Sequence, residues 1–475
     1  MVDARKWLRQ DIGDEVSEAR LGDSRRRDRL QEIARAAESS PGAGFPQMVD
    51  TDGELEGIYR FFGNDAIGAQ AILEPHIAAT FERAKQAKLC VIAHDTTAFE
   101  FSGERDGLGL MRSQKKGFFG HFALAVLPGS ERIPLGVCGL ERISRQIRKD
   151  TIRKRHSDHT AKDPTRESLR WTRLLESIES QRDGFECIHV MDREGDMYDL
   201  MALALRLSAR FVIRGGRDRA LANEQGLMEG LLEKTEARAH QEVKVSARKP
   251  KRRELIAPRP GAERKERIAK LSVGSHVVEI RRPKSKKKLA EEHSIKFNLV
   301  HVWESKPPRG EAPIEWVLFT TEPIDTPEQL LEVVAFYRSR WIIEEFFKAL
   351  KTGCAFEKRQ LESFHALSNA LAVFAIVAWR MLLTRAVTRT YPNGAATTVL
   401  APTELQLIRH RLKLPKLPTT PKEALYAVAR LGGHLKRNGD PGWLTLGRGF
   451  EKLLFLQAGW NAALAHFSLG DPINP

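Results

Sequence analysis

The spacing of apolar positions divides this chain into stretches of different character. From about 7 to 20, and again through LGDSRRRDRL to about 38, apolar and charged residues recur with the period of a helix. SSPGAGFPQ interrupts that pattern, and ELEGIYRFFGN predicts a short helix with Tyr59, Phe61 and Phe62 facing inward. After one more helix, over 71–86, the period changes. Short unbroken apolar runs at 89–93, at 187–191 and within RFVIRGG read as buried strands. HFALAVLPGSERIPLGVCGL reads as a hairpin turning at Pro128, Gly129 and Ser130. Asp95 ends the first apolar run and Asp192 the second. PTRESLRWTRLLESIES, capped by Thr165, predicts the helix ahead of the second.

From 216 to 325 the pattern shifts again. QEVKVSAR, RIAKLSVG, HVVEIRR, FNLVHVWES and EWVLFTTEP are strand-like pieces, some with the alternation of half-buried antiparallel strands. They predict a β-domain inserted in the chain. Residues 326–353 then read as one long helix with both ends marked. Thr326 suits the N-cap, Pro327 the first helical position, Gln329 completes a capping box, and Gly353 suits a left-handed stop. The tail holds a strongly apolar helix, HALSNALAVFAIVAWRMLLTRAV, then the linker PKLPTTP and two amphipathic helices.

Composition narrows the class. The chain has 475 residues, 41% apolar and 29% charged, which predicts a globular protein of two or three domains with a large core. Its net charge of +15 favours a polyanionic partner. RISRQIRKDTIRKR, RKPKRR and RRPKSKKK concentrate that charge. Four widely separated cysteines show neither zinc-finger spacing nor a disulfide framework. Cys90, Cys138 and Cys187 lie in apolar runs, as buried thiols do in a reducing compartment. MVDARKWLRQDIGDE lacks an apolar signal segment, and the longest strongly apolar run, 370–379, is shorter than the roughly 20 residues of a membrane span. The expectation is a cytoplasmic, nucleoid-associated bacterial protein with no membrane partner.

The helix over 326–353 carries the candidate chemistry. At about 100° per residue, Tyr337, Arg340, Glu344, Lys348 and Lys351 share one narrow stripe. Phe336, Ile343, Phe346, Phe347 and Leu350 occupy the neighbouring, buried arc. Such a stripe is also what a surface helix with ordinary charge pairs presents. The order Tyr337, Arg340, Glu344, Lys351, set within YRSRWIIEEFFKALKTG, is the Y-R-E-K signature, and it resembles DDE transposases of the insertion-sequence four family, hairpin-forming members in particular. Asp95-Thr96-Thr97 resembles that family's D-T-T, and Asp192-Arg193-Glu194 its D-R-E. Glu194 and Asp196 stand nearby as alternative ligands. LGDSRRRDRL and YRFFGN resemble the family's DNA-end-binding domain, while ARLGG and the closing helix resemble its dimerisation region.

The resemblance implies an α/β fold: a ribonuclease-H-like mixed-sheet core with an inserted antiparallel β-domain, flanked by helical N- and C-terminal domains. Its parts would be a DNA-end-binding domain at 1–70, a catalytic domain at 71–370 with the insert at about 216–325, and a dimerisation domain at 371–475. Asp95, Asp192 and Glu344 would be the catalytic metal ligands. Their oxygen-only donor set favours Mg²⁺, with Mn²⁺ as substitute, over zinc, as two ions roughly 3.5–4 Å apart. Tyr337, Arg340, Lys348 and Lys351 would bind DNA, with Trp316 forming a pocket for a flipped base, Arg214 lying along the duplex, and Arg26, Arg27 and Arg29 contacting the transposon end. The implied activity is cut-and-paste transposition through a hairpin intermediate, on terminal inverted-repeat DNA and target DNA, by a homodimer in a synaptic complex. A DNA-binding inhibitor or regulator, and a metal-dependent nuclease without strand transfer, remain as alternatives. Two departures from the family stand out: Phe118-Phe119 replaces a tryptophan pair, and the C-terminal linker is less basic.

Overall fold

The computed structural model describes residues 3–129, 131–145, 166–222, 226–245, 247, 265–284, 292–435 and 439–469. Ser130, the Thr165 cap, all of RKPKRR, most of RISRQIRKDTIRKR and half of RRPKSKKK therefore lie outside the described residues.

The chain opens with α1 (Arg5–Arg9), a 3-10 turn at Ile12–Val16, α2 (Ser24–Ser39), α3 (Asp52–Gly63) and α4 (Ala69–Ala87). Asp23 starts α2 by accepting from the Arg25 backbone N–H at 2.9 Å, and Thr51 with Glu54 forms a capping box for α3. Each satisfies amides that a helix start leaves unpaired.

Among the described residues, ten strands then build one mixed sheet: β1 (Leu89–Phe101), β2 (Gly109–Leu110), β3 (Lys116–Val126), β4 (Pro134–Ile143), β5 (Glu186–Met191), β6 (Arg210–Arg214), β7 (Ala239–Val245), β8 (Arg267–Arg281), β9 (Ser294–Glu304) and β10 (Glu315–Thr320). Their order is β2-β3-β1-β5-β6-β10-β9-β8-β7, with β4 also pairing β3. The pairs β1/β3 and β3/β4 are antiparallel, whereas β1/β5 and β5/β6 are parallel. Parallel neighbours need crossovers. The helices α5 (Leu169–Gln181) and α6 (Tyr198–Arg206) provide them, and α7 (Met228–Leu232) follows β6.

Three expectations change here. First, β1 does not end at Asp95. It continues to Phe101 because β3 pairs with it throughout, from Val91↔Val126 to Phe101↔Lys116, and Phe99, Phe101 and Phe118 pack around Phe356 and Phe364. Second, RIAKLSVG and HVVEIRR form a single strand, β8. Gly274 does not break it; a Cβ there would stand 2.3 Å from the Glu236 carbonyl, so glycine admits a close crossing of chain. Third, the inserted strands are not a sheet of their own, because β10 pairs antiparallel with β6 and joins them to the core sheet.

The helix over 326–353 is also segmented. It forms α8 (Pro327–Ser339), α9 (Ile342–Lys348) and a π-turn at Ala349–Gly353. The Thr326/Gln329 capping box and Pro327 stand as expected. Between α8 and α9 the winding tightens: Ile343 N–H bonds Arg340 C=O at 3.1 Å and Glu344 N–H bonds Trp341 C=O at 3.2 Å. Gly353 is not the left-handed stop; Ala355 takes that conformation, with φ 47°. Gly353 instead lets α10 (Phe364–Thr390) approach, since a Cβ on it would meet Met381 Cε at 2.8 Å.

After α10 come α11 (Pro402–Leu412), α12 (Pro421–Leu431) and α13 (Trp443–Leu469). The segment α10 is long and apolar enough to cross a membrane, but its apolar window is wholly buried within the protein. It runs across the boundary expected at 370 and shares one apolar core with α2, α3, α4 and β4. Within it, the Asn369 side-chain amide donates to the carbonyls of Phe62 and Ile67, each at 3.0 Å. All four cysteines are buried free thiols.

Candidate active site

The site forms where β1 and β5 run side by side beneath α8 and α9. Val91, Ile188 and Val190 pack against Leu330, Val333 and Val334 of α8. Side chains alternate along a strand, so Asp95 shares the face of Val91. His94 stands opposite Met191 in the parallel register, and one further step sets Asp95 beside Asp192. Asp192 follows β5 directly and accepts from the Glu194 backbone N–H at 2.8 Å. Glu344 lies in the first turn of α9.

Arg340 ties these elements together. Its Nη1 donates to Asp95 Oδ2 at 2.8 Å, and its Nη2 donates to Glu344 Oε1 at 3.0 Å. The guanidinium side chain is 8% exposed and that of Asp95 17%. Burial raises the Asp95 carboxyl to about 7; Arg340 opposes that shift, while Asp192 and Glu344 add to it. One guanidinium thus faces three carboxylates, an arrangement short of positive charge. Its donors are all oxygen, the set a hard divalent cation takes.

The alternative ligands have other partners. Asp196 is buried, ion-paired with Arg219, and accepts from the Gly216 N–H at 2.8 Å. Glu194 accepts from Arg170 at 2.9 Å. The three carboxylates around Arg340 are gathered without closing on one another. Among the described residues, the set of donors all within 4.8 Å of each other is a different one, Glu179, Cys187 and His189.

The remaining sequence-derived residues fall in distinct places. Tyr337 on α8 and Trp316 on β10 face each other, with ring centroids 5.5 Å apart. Arg214 ends β6 next to them and donates to the Glu315 carbonyl at 3.1 Å. Lys351 reaches the Ala98 carbonyl of β1 and lies 3.6 Å from Glu357. Lys348 turns away to Glu345, at 2.7 Å, whose carboxylate also binds Trp443 and Arg385. Arg26, Arg27 and Arg29 lie along the first turns of α2; Arg26 donates to the Leu21 carbonyl at 2.9 Å and Arg29 pairs with Glu32 at 3.2 Å.

Sequence reasoning overlooked Arg170 on α5. Its Nε donates to Thr96 Oγ1, next to Asp95, at 3.1 Å. With Arg112 and Arg145 it lines a cleft of about 310 Å³ that also includes Thr96 and Phe119. The available signal was the Phe118-Phe119 pair: Phe118 is core, while Phe119 lies under the Arg145 guanidinium at 4.5 Å.

Residues 5–67 match the family described as Transposase DNA-binding, and residues 146–380 match the one described as Transposase DDE domain. Between them the matches cover more than half of the chain. Both matches support a DDE-type transposase family. The DDE match spans Asp192, Arg340 and Glu344, and a domain of this kind implies dependence on a divalent metal. A DNA-cleaving transposase with DNA partners is what both matches support. A piggyBac transposase, solved by cryo-EM as a synaptic complex with hairpin DNA, aligns over 96% of this chain and 84% of that one, at 9% identity and a TM-score of 0.34. So loose a superposition carries no argument about this transposase.

Proposed function

We propose that this transposase carries out cut-and-paste transposition through a hairpin intermediate, as a member of the insertion-sequence four branch similar to the hairpin-forming transposase of bacterial transposon five. The observation that carries the reading is the meeting of Asp95, Asp192 and Glu344 around Arg340. The order β4-β3-β1-β5-β6, antiparallel on one side and parallel on the other, supports a ribonuclease-H-like core. Residues 1–70 would bind transposon ends, 71–370 with the segment at about 216–325 would catalyse, and 371–475 would support a homodimer. The cytoplasmic nucleoid is the proposed location.

Asp95, Asp192 and Glu344 would hold two Mg²⁺ or Mn²⁺ ions, which activate the attacking oxygen and stabilise the departing one. The chain's own residues do the rest. Arg340 balances the carboxylates and fixes Asp95 relative to Glu344. Tyr337 and Trp316 form an aromatic wall against which an unstacked base can lie. Arg214, Lys351 and the exposed Lys348 bring positive charge to the backbone phosphates. In the first step a water oxygen bonds the scissile phosphorus, its proton is lost, and the strand's 3′ oxygen leaves. That 3′-hydroxyl oxygen then bonds a phosphorus of the opposite strand, losing its proton and displacing that strand's 3′ oxygen, which closes the hairpin.

The test is incubation with Mg²⁺ and DNA bearing the inverted repeats that flank the gene. Hairpin and joined products are expected, and Asp95→Asn should bind the ends without cutting them. Cut ends that never join would mark a nuclease, and end binding without cleavage by the unaltered protein a regulator.

A further inference from the structure

The other face of the same two strands carries a second donor cluster. His94 and Asp95 are neighbours in β1 and so point to opposite faces. Cys187 and His189, two apart in β5, share the face that α5 covers, where Met191 packs against Trp171 and Leu175. Glu179 of α5 reaches them. Its Oε1 lies 2.9 Å from His189 Nε2 and 3.3 Å from Cys187 Sγ, and Cys187 Sγ lies 3.8 Å from His189 Nε2. The His189 side chain is 0% exposed and that of Glu179 6%.

These separations suit a tetrahedral ion. Bonds of about 2.0 Å to nitrogen or oxygen and about 2.3 Å to sulfur place neighbouring ligand atoms roughly 3.3–3.6 Å apart. All three distances come within about 0.4 Å of that range. Hydrogen bonds from His189 and the Cys187 thiol to Glu179 account for the same contacts without an ion, so the test must separate the two. Three further features favour an ion. Cys90 stands opposite Cys187 in the β1/β5 register, buried on the same face but outside the close group of three, and on ion binding its side chain would swing in as a fourth donor. His94 Nε2 lies 2.8 Å from His189 Nδ1, so it can accept from that nitrogen and orient the ring, as the second contact of a metal-bound histidine does. Arg182 donates to the other Glu179 oxygen at 3.1 Å and offsets the charge left by two thiolates and a carboxylate around a divalent ion.

We propose that Glu179, Cys187 and His189, completed by Cys90, form a structural site for a zinc-class divalent cation that pins α5 to the strand ending at Asp192. Sulfur and nitrogen donors select such an ion over Mg²⁺, so the site is chemically separate from the acidic face and does not depend on the function proposed for it. Binding replaces the thiol protons of Cys187 and Cys90, releasing two protons per ion.

The experiment uses the full chain purified without chelator. Metal analysis after exhaustive dialysis should find one zinc per chain. Zinc-edge X-ray absorption should show a sulfur shell at about 2.3 Å, and cobalt exchanged into the site should give thiolate-to-metal charge-transfer absorption. Cys187→Ser should abolish that band. The acidic face has neither sulfur nor nitrogen ligands, so zinc held there would show only oxygen neighbours. No retained ion, a light-atom shell alone, or an unchanged cobalt band in Cys187→Ser would each overturn the proposal. The X-ray and cobalt measurements on the unaltered chain decide the matter even where the variant fails to fold.

Discussion

Two faces of one pair of strands treat carboxylates in opposite ways. Toward α8 and α9, Asp95 is crowded by Asp192 and Glu344, and burial with that crowding raises its carboxyl to about 7 despite Arg340. Toward α5, burial also works against the ionised Glu179, yet His189, Cys187 and Arg182 overcome it and hold the group at about 2. The first face has more negative charge than its arginine balances; the second is satisfied within itself. Burial alone therefore does not decide a carboxylate's state, and the neighbouring donors do. The unbalanced face is suited to recruit hard cations and a polyanion from outside, whereas the balanced face would take an ion only in exchange for its thiol protons.

The largest effect expected from breaking this contrast is on cleavage. Asp95→Asn or Glu344→Gln should lower end cleavage by on the order of a thousandfold or more, by analogy with loss of other transition-state electrostatic contacts. Gel assays of cutting and end binding on the same DNA would check it, and near-normal cutting would remove that residue from the chemistry.

The next effect is on the pH dependence of stability. Asp95 titrates in the folded metal-free protein near 7 and usually near 3.8. Folding thus favours its protonated form, and its contribution, about 4 kcal/mol at most, is present below pH ~4 and lost as pH rises toward ~7. Glu179 runs the other way: lowered from 4.5 to about 2, it contributes above pH 4.5 and loses that contribution as pH falls toward 2. Thermal unfolding across pH in chelator should show Asp95→Asn removing the upper dependence and Glu179→Gln the lower one.

Arg340→Ala should then cost about 2 kcal/mol, less than a fully buried pair because Asp95 and Glu344 retain some solvent. Added Mg²⁺ should raise its melting temperature more than that of the unaltered protein; an equal rise in both would show that Arg340 and the ion do not serve the same carboxylates. The smallest change expected is Thr326→Ala, at about 1 kcal/mol through loss of the cap of α8. Chemical denaturation would measure it, and metal content at the Cys187 face should stay as it was.

How much of this was legible differs from residue to residue. The capping box at Thr326 and Gln329 was readable because its partners are local. The meeting of Arg340 with Glu344 was readable because four residues make one helical turn. The pairing of Lys348 with Glu345 was not read from the stripe, because an angle on an ideal helix says nothing of which neighbour a long side chain bends toward. Asp95 was read as a strand end because the apolar run stops there, yet pairing with β3 carries the strand onward. Glu179, Cys187 and His189 escaped notice because strand alternation and a helix crossing bring them together, and no metal-binding spacing records that.

What the amino-acid order determined by itself was local: helix starts, the apolar runs that become strands, the acidic and aromatic residues at their ends, and a positive charge suited to DNA. What tertiary structure alone decided was which of those pieces share a surface. It set Asp95 beside Asp192 through the parallel register of β1 and β5, brought Arg340 across to both Asp95 and Glu344, and attached the inserted strands to the core through β6. The reason is physical: periodicity reports which way a side chain faces relative to its own backbone, and only packing determines what it faces.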